Sequence, residues 1–179
     1  DWEQMKAPQA MLAGSANRVT AITELPDGKL VSILDVEQIV AETLGEEPIP
    51  HLEPVETAPN STVFFADDSA VARRKISQVL EKLGVPSQQA RNGREAWDKL
   101  SQLARSAEQE GAALAERLGM VLVDAEMPEM DGYVLTRHIK ADKRFEGIPV
   151  VMHSSLSSAA NRKMGQQVGV DAYVAKFDA

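Results

Sequence analysis

The chain has 179 residues, 44% of them hydrophobic, which is enough for a real core and excludes wholesale disorder. It carries 19 Lys and Arg against 27 Asp and Glu, a formal net charge of −8, which argues against general nucleic-acid binding. It has no cysteine, so disulfides, zinc-thiolate sites and thiol nucleophiles are excluded. No apolar run approaches the ~20 residues of a membrane span and no signal peptide is visible, so direct membrane insertion is not expected and a cytoplasmic location is.

Residues 1–45 form a first unit, opening on Asp1 rather than Met, which points to a cut or processed N-terminus. Val19 to Thr23 predicts a strand, Leu25 to Lys29 a turn with Asp27-Gly28 at its tip, and Leu30 to Leu34 the returning strand. Asp35 can cap a short helix through Val36, Ile39, Val40 and Leu44 that ends at Gly45. A lone hairpin plus helix is marginal by itself, and these strands are apolar enough to need a partner sheet. Residues 46–60 hold four of the nine prolines, with glutamates between them, and read as an extended, solvated linker.

The third unit, residues 61–179, alternates strands and helices. Thr62 to Ala66 is a buried strand ending on Asp67-Asp68. Ser69 or Asp68 caps a helix whose apolar face is Ala72, Ile76, Val79, Leu80 and Leu83, closed by Gly84. Ser87 to Arg91 is a polar strand, hence an edge, and Asn92-Gly93 turns the chain. A helix with Ala96, Leu100 and Leu103 inward runs toward Arg117, interrupted at Gly111. Met120 to Val123 is an apolar strand stopped by Asp124, and Met127-Pro128 and Asp131-Gly132 turn the chain behind it. Then come a helix through Val134 to Ile139, a strand over Ile148 to Met152 ending at His153-Ser154, a helix over Ser158 to Val168, and a strand over Ala172 to Ala175 ending at Lys176. Five strands separated by helices imply a parallel sheet with right-handed crossovers.

Polar residues therefore stand at four strand ends, where open parallel sheets bind ligands: Asp67 and Asp68, Asp124, Ser154 and Lys176. Converging carboxylates repel, by about 4 kcal/mol for a pair at ~4 Å and an effective dielectric near 20, so they call for a divalent cation or a raised pKa. Hard oxygen ligands suit Mg²⁺. A lysine and a hydroxyl beside them suit phosphoryl transfer, with Asp124 as nucleophile and the acidic pair left for the metal. Singly, each residue has a plainer reading: a helix cap for Asp68 or Ser69, a loop serine for Ser154, a solvated charge for Lys176. Arg73-Arg74-Lys75 reads as a solvated charge run, and His51, His138 and His153 show no metal spacing, His153 reading as structural.

Residues 61–179 resemble a response-regulator receiver domain of the CheY type, on Asp67-Asp68, the segment Asp124 to Gly132, Ser154, Tyr173 and Lys176. The resemblance implies a flavodoxin-like fold with sheet order 2-1-3-4-5. It implies Asp124 as phosphoacceptor, and Mg²⁺ held directly by Asp68, Asp124 and the Glu126 backbone carbonyl, with Asp67 acting largely through water. It implies Ser154 and Tyr173 as switch residues and Lys176 as the phosphate-binding lysine. Phe177 departs from the family, which usually has proline after the lysine. The span from Gly93 to Asp124 is longer than in a minimal receiver, and the chain ends before the family's fifth helix. Residues 17–45 resemble the end of a CheW-like β-barrel domain. That order of parts is the arrangement of CheV-type chemotaxis coupling proteins, with a CheA-type histidine kinase and chemoreceptors as implied partners. The competing readings are a haloacid-dehalogenase-type aspartyl-phosphate phosphatase, a stand-alone response regulator and a pseudo-receiver used only for packing. The first wants its nucleophile on the first strand with a second Asp two positions on, whereas Asp67 and Asp68 are adjacent.

Overall fold

A computed structural model of the chain describes residues 19–24, 27–34, 36, 39, 52–55, 61–155 and 158–176. The chain divides into two units, Asp1–Ile49 and Pro50–Ala179. In the first, β1 (Val19–Glu24) and β2 (Leu30–Leu34) form an antiparallel hairpin about Asp27-Gly28. Gly28 sits at φ 81, a conformation that favours glycine. Leu30, Val31 and Leu34 are exposed on this hairpin. Most of the helix read through Leu44 lies outside the described residues, as does most of residues 46–60. Of that segment, Val55 donates its N–H to the Leu83 carbonyl at 3.0 Å, so this part of the expected solvated linker docks on a helix end.

The second unit is a five-stranded parallel sheet in the order β4-β3-β5-β6-β7. The elements are β3 (Thr62–Ala66), α1 (Ala70–Lys82), β4 (Ser87–Ala90), α2 (Gly93–Gln109), β5 (Leu118–Asp124), α3 (Gly132–Ala141), β6 (Val150–Ser154), α4 (Ala159–Val168) and β7 (Ala172–Ala175). Counted from β3, this is the expected 2-1-3-4-5. The polar β4 is an edge strand, exposed at Ser87 to Gln89.

The core lies between the sheet and α2 with α3. Phe64, Val121, Val123 and Val150 from the strands meet Leu100 and Ala104 of α2 and Leu135 and Ile139 of α3. Trp97 ties the two helices together, its ring 5.2 Å from that of His138 and 6.0 Å from that of Phe145. On α1 only Ala72 is fully buried; Ile76, Val79, Leu80 and Leu83 are half-buried.

Several boundaries refine the sequence reading. Asn92 is an N-cap rather than part of a free turn, its Oδ1 accepting the Glu95 N–H at 2.7 Å. The helix it starts stops at Gln109, broken as expected around Gly111, which sits at φ 67, and of the stretch on to Arg117 only a 3₁₀ turn at Leu114–Glu116 is helical before β5. The extra length before Asp124 is thus absorbed in a 17-residue α2 and that turn. The strand expected to start at Ile148 begins at Val150 and reaches Ser154; Ile148 is buried ahead of it. Among the described residues no helix is long and apolar enough to cross a membrane.

Candidate functional site

Register assembles the site. Ala66 pairs with Val123, so the next residues, Asp67 and Asp124, stand side by side at the ends of β3 and β5. Asp124 in turn pairs with His153 on β6. Side chains alternate along a strand, so Asp67, Asp124 and His153 form one row on one face of the sheet. Asp67 is 0% exposed, Asp124 3% and His153 8%.

Lys176 enters from just beyond β7. Its Nζ lies 2.9 Å from Asp67 Oδ2 and 2.9 Å from Asp124 Oδ2, bridging the two carboxylates. Oxygen atoms of Asp67, Asp68 and Asp124 all come within 4.8 Å of one another, with Asp68 exposed and the other two buried. Burial pushes the Asp124 carboxyl up to about 6; Lys176 opposes this, and the charges of Asp67 and Asp68 add to it. Burial also works against the Lys176 charge, but the attraction of Asp67 and Asp124 outweighs it and raises the ammonium above its usual range. Asp67 and Asp124, both buried, share the one half-buried ammonium of Lys176, with the Asp68 carboxylate close by. Close-set hard oxygens in that state fit a divalent cation of the Mg²⁺ kind.

The loop from Ala125 to Asp131 is held from both sides. Gly132 N donates to Ala125 O at 3.0 Å, and the Asp131 side chain caps α3 by accepting from Val134 N at 2.8 Å. Met127 and Met130 are buried anchors. Glu129 sits at φ 65, and its Oε1 accepts from Asn92 Nδ2 at 2.9 Å. The helix starts pack tightly here. A Cβ at Gly132 would meet the Asp124 carbonyl oxygen at 2.0 Å, and one at Gly93 would meet that of Met130 at 2.1 Å. Backbone cannot yield as a side chain can. Gly132→Ala is therefore expected to destabilise the unit by about 2 kcal/mol and to shift the Asp124 loop. Urea unfolding checks this, and an unchanged midpoint would show that the loop gives way freely.

Ser154 ends β6, wholly buried, and its carbonyl accepts the Lys176 N–H at 2.9 Å. One residue beyond His153, it takes the opposite direction in the strand alternation. Tyr173 pairs with Met152 on that opposite face. It lies against Gly165 of α4, where a Cβ would come within 2.9 Å of its ring, and the Arg162 guanidinium is 5.6 Å from the ring centre. The Tyr133 hydroxyl is buried and pushed up to about 12, first by that burial and then by the Tyr173 phenol. The structure thus gathers Asp67, Asp68, Asp124 and Lys176 in one cluster, and places Ser154 and Tyr173 one layer behind it. Glu126, exposed, follows Asp124 by two residues. Phe177 lies outside the described residues.

Two residues at the site were read otherwise from sequence. Arg73 is not a solvated charge: its guanidinium donates to the carbonyls of Asp67 at 2.9 Å and Asp68 at 2.8 Å, fixing the acidic turn. The signal was its position, one turn into a helix that starts at those residues. His153, read as a structural strand-end histidine next to Ser154, touches the site: its Nε2 lies 3.5 Å from Asp67 Oδ2. Counting alternation back from the strand end would have placed it beside Asp124. Ser69, by contrast, is the expected cap, its Oγ accepting from Ala72 N at 3.2 Å, while its own N–H binds Asp67 Oδ1 at 2.9 Å.

Comparison with known proteins agrees with this fold. The profile of the response regulator receiver domain matches residues 63–178. The chain is 30% identical to chemotaxis protein CheV3 of Helicobacter pylori, over 99% of this chain and 57% of that protein. It is 27% identical to chemotaxis protein CheV2 of the same organism, over 98% and 55%. It therefore spans little more than half the length of these relatives. Among solved structures it is similar to the receiver domain of the histidine kinase CKI1 from Arabidopsis thaliana complexed with Mg²⁺ and BeF₃⁻, at TM-score 0.58 and 27% identity over 64% of this chain and 79% of that one. Chemotaxis protein CheY4 of Vibrio cholerae shares the fold at TM-score 0.55 and 24% identity, over 66% and 88%. The chain belongs to the response regulator receiver domain family, and along nearly its whole length it is similar to chemotaxis proteins of the CheV type.

Proposed function

We propose that this chain is a phosphorylation-regulated chemotaxis adaptor whose receiver accepts a phosphoryl group on Asp124 from a CheA-type histidine kinase. The observation that carries this reading is the single ammonium of Lys176 bridging Asp67 and Asp124, with Asp68 alongside. The Asp124 carboxylate attacks phosphorus, the bond from phosphorus to the donor nitrogen breaks, and that nitrogen keeps the electron pair. Lys176, already 2.9 Å from Asp124, follows the new charge onto a phosphoryl oxygen. Asp68, Asp124 and the Glu126 backbone carbonyl would hold Mg²⁺, with Asp67 acting largely through water, and the ion would neutralise charge on the transferred group. Arg73 keeps the acidic turn in place through its two carbonyl bonds. The chemistry is confined to the chain's own phosphorylation and dephosphorylation. A nucleophile on the middle strand, with Asp67 and Asp68 adjacent on another, disfavours the haloacid-dehalogenase reading.

Residues 1–45, as the end of a CheW-like coupling domain, would join receptor and kinase in the cytoplasm, with 46–60 as linker and 61–179 as receiver. Mass spectrometry after acetyl phosphate and Mg²⁺ tests the core of the reading: a phosphoryl adduct on Asp124 is expected, and no adduct would overturn it. For the switch, Ser154 donates its hydroxyl to the phosphoryl group and Tyr173 repacks against α4. Charge-assisted hydrogen bonds supply the few kcal/mol such a shift needs, about 2 each. Ser154→Ala should still accept phosphate but lose most of the response at residues 154–175. Equal hydrogen-exchange changes in the variant and wild type with beryllofluoride would remove Ser154 from the switch.

A further inference from the structure

The bridge made by Lys176 has a consequence for Asp67. Before phosphoryl transfer, one ammonium serves two carboxylates. Afterwards Asp124 carries a group of higher charge with three acceptor oxygens, and the ammonium is drawn to it. Asp67 Oδ2, which Mg²⁺ would reach only through water, would be left buried without its direct ion-pair partner, a state that buried carboxylates avoid.

The side chain placed to prevent this is His153. It is 8% exposed and lies in the row of Asp67 and Asp124. Its Nε2 is buried without a hydrogen-bond partner, yet points at Asp67 Oδ2 from 3.5 Å, too far for a good bond and near enough to close into one. The neutral Nε2–H tautomer and the imidazolium both present an N–H at this nitrogen. Facing a carboxylate oxygen, Nε2 must hold that hydrogen, since its lone pair would be repelled.

We infer that His153 is a positioning residue that takes Asp67 over from Lys176 when Asp124 is phosphorylated, its Nε2–H closing on Asp67 Oδ2 and so freeing the ammonium for the phosphoryl oxygens. The inference rests on Asp124 being the phosphoacceptor. A valine or methionine at position 153 could fill the space but could not release the lysine.

The test uses beryllofluoride with Mg²⁺ on the full chain. In wild type, the His153 Nε2–H resonance should be present in the free protein and move downfield on beryllofluoride binding. By calorimetry, His153→Met should bind beryllofluoride about tenfold more weakly, the effect of one charge-assisted hydrogen bond. His153→Gln, whose amide reaches the same place, should recover binding to within roughly threefold of wild type. Equal binding by the methionine variant would overturn the inference. So would a glutamine variant no better than methionine, which would mean a packing role, or an Nε2–H unmoved by the mimic. The resonance is read on wild type, so the result does not depend on either variant folding. Wild type that failed to bind beryllofluoride at all would overturn the phosphoacceptor reading along with this one.

Discussion

Asp124→Asn is expected to lose all labelling by acetyl phosphate while remaining at least as stable as wild type near neutral pH. The amide has no free carboxylate oxygen to form the acyl phosphate, and the other nearby carboxylates are differently engaged. Asp67 is wholly buried, with Oδ1 bound to Ser69 N and Oδ2 on Lys176. Asp68 lies exposed at the rim. Stability should not fall, because the carboxylate being removed is one that burial disfavours, held up at about 6. The amide keeps the shape while leaving Lys176 and Asp67 as a matched pair. Intact-mass analysis of the labelled variant, alongside its urea midpoint, checks both halves. Undiminished labelling would move the nucleophile elsewhere. A large loss of stability would mean that the Lys176 bridge, not the burial of Asp124, dominates the energetics.

Much of this site was legible because the fold concentrates function at strand ends. Asp67, Asp124, Ser154 and Lys176 each terminate or follow an apolar run, and a parallel sheet brings such ends to one edge. Asp124 by itself, a carboxylate that stops Met120 to Val123 ahead of Pro128 and Asp131-Gly132, reads as a strand-ending turn cap; it was legible as a site only together with the polar residues at the other strand ends. Contacts set by direction and reach, not by type and spacing, were not legible. Arg73 looked like one of three solvated cations; only the helix turn shows that it folds back onto two carbonyls. His153 looked structural because a histidine at a strand end usually is, and its partner is on a strand two places away in the sheet. The interruption of α2 at Gly111 was legible from the glycine, but the Ala- and Glu-rich sequence beyond it did not show that only a short 3₁₀ turn follows.

Asp124 and His153 should also give this unit two opposed pH linkages, which variants can separate. Asp124 holds its proton to about 6 in the folded protein against a usual 3.8, so the folded state binds a proton that the unfolded chain has released. Its contribution is therefore lost as pH rises through that window, by about 3 kcal/mol at roughly 1.4 kcal/mol per pH unit. His153 runs the other way. It stays neutral down to about 4 against a usual 6.5, so the unfolded chain binds the extra proton and stability is lost as pH falls from 6.5 toward 4. That loss is again about 3 kcal/mol. The two nearly cancel in wild type. In metal-free buffer, Asp124→Asn should gain on wild type as pH rises from 4 to 6, and His153→Met should gain on wild type as pH falls from 6.5 to 4. Taking differences from wild type removes the surface carboxylates, such as Asp142 and Asp171, that are common to all three proteins. Mg²⁺ should remove the Asp124 linkage from wild type, because a cation on that carboxylate displaces its proton, and its stabilisation should fade as pH drops below about 6. Urea midpoints across this range decide the matter. A difference between Asp124→Asn and wild type that is flat with pH would show that Asp124 titrates as an ordinary carboxylate, and that Lys176 rather than burial sets its charge.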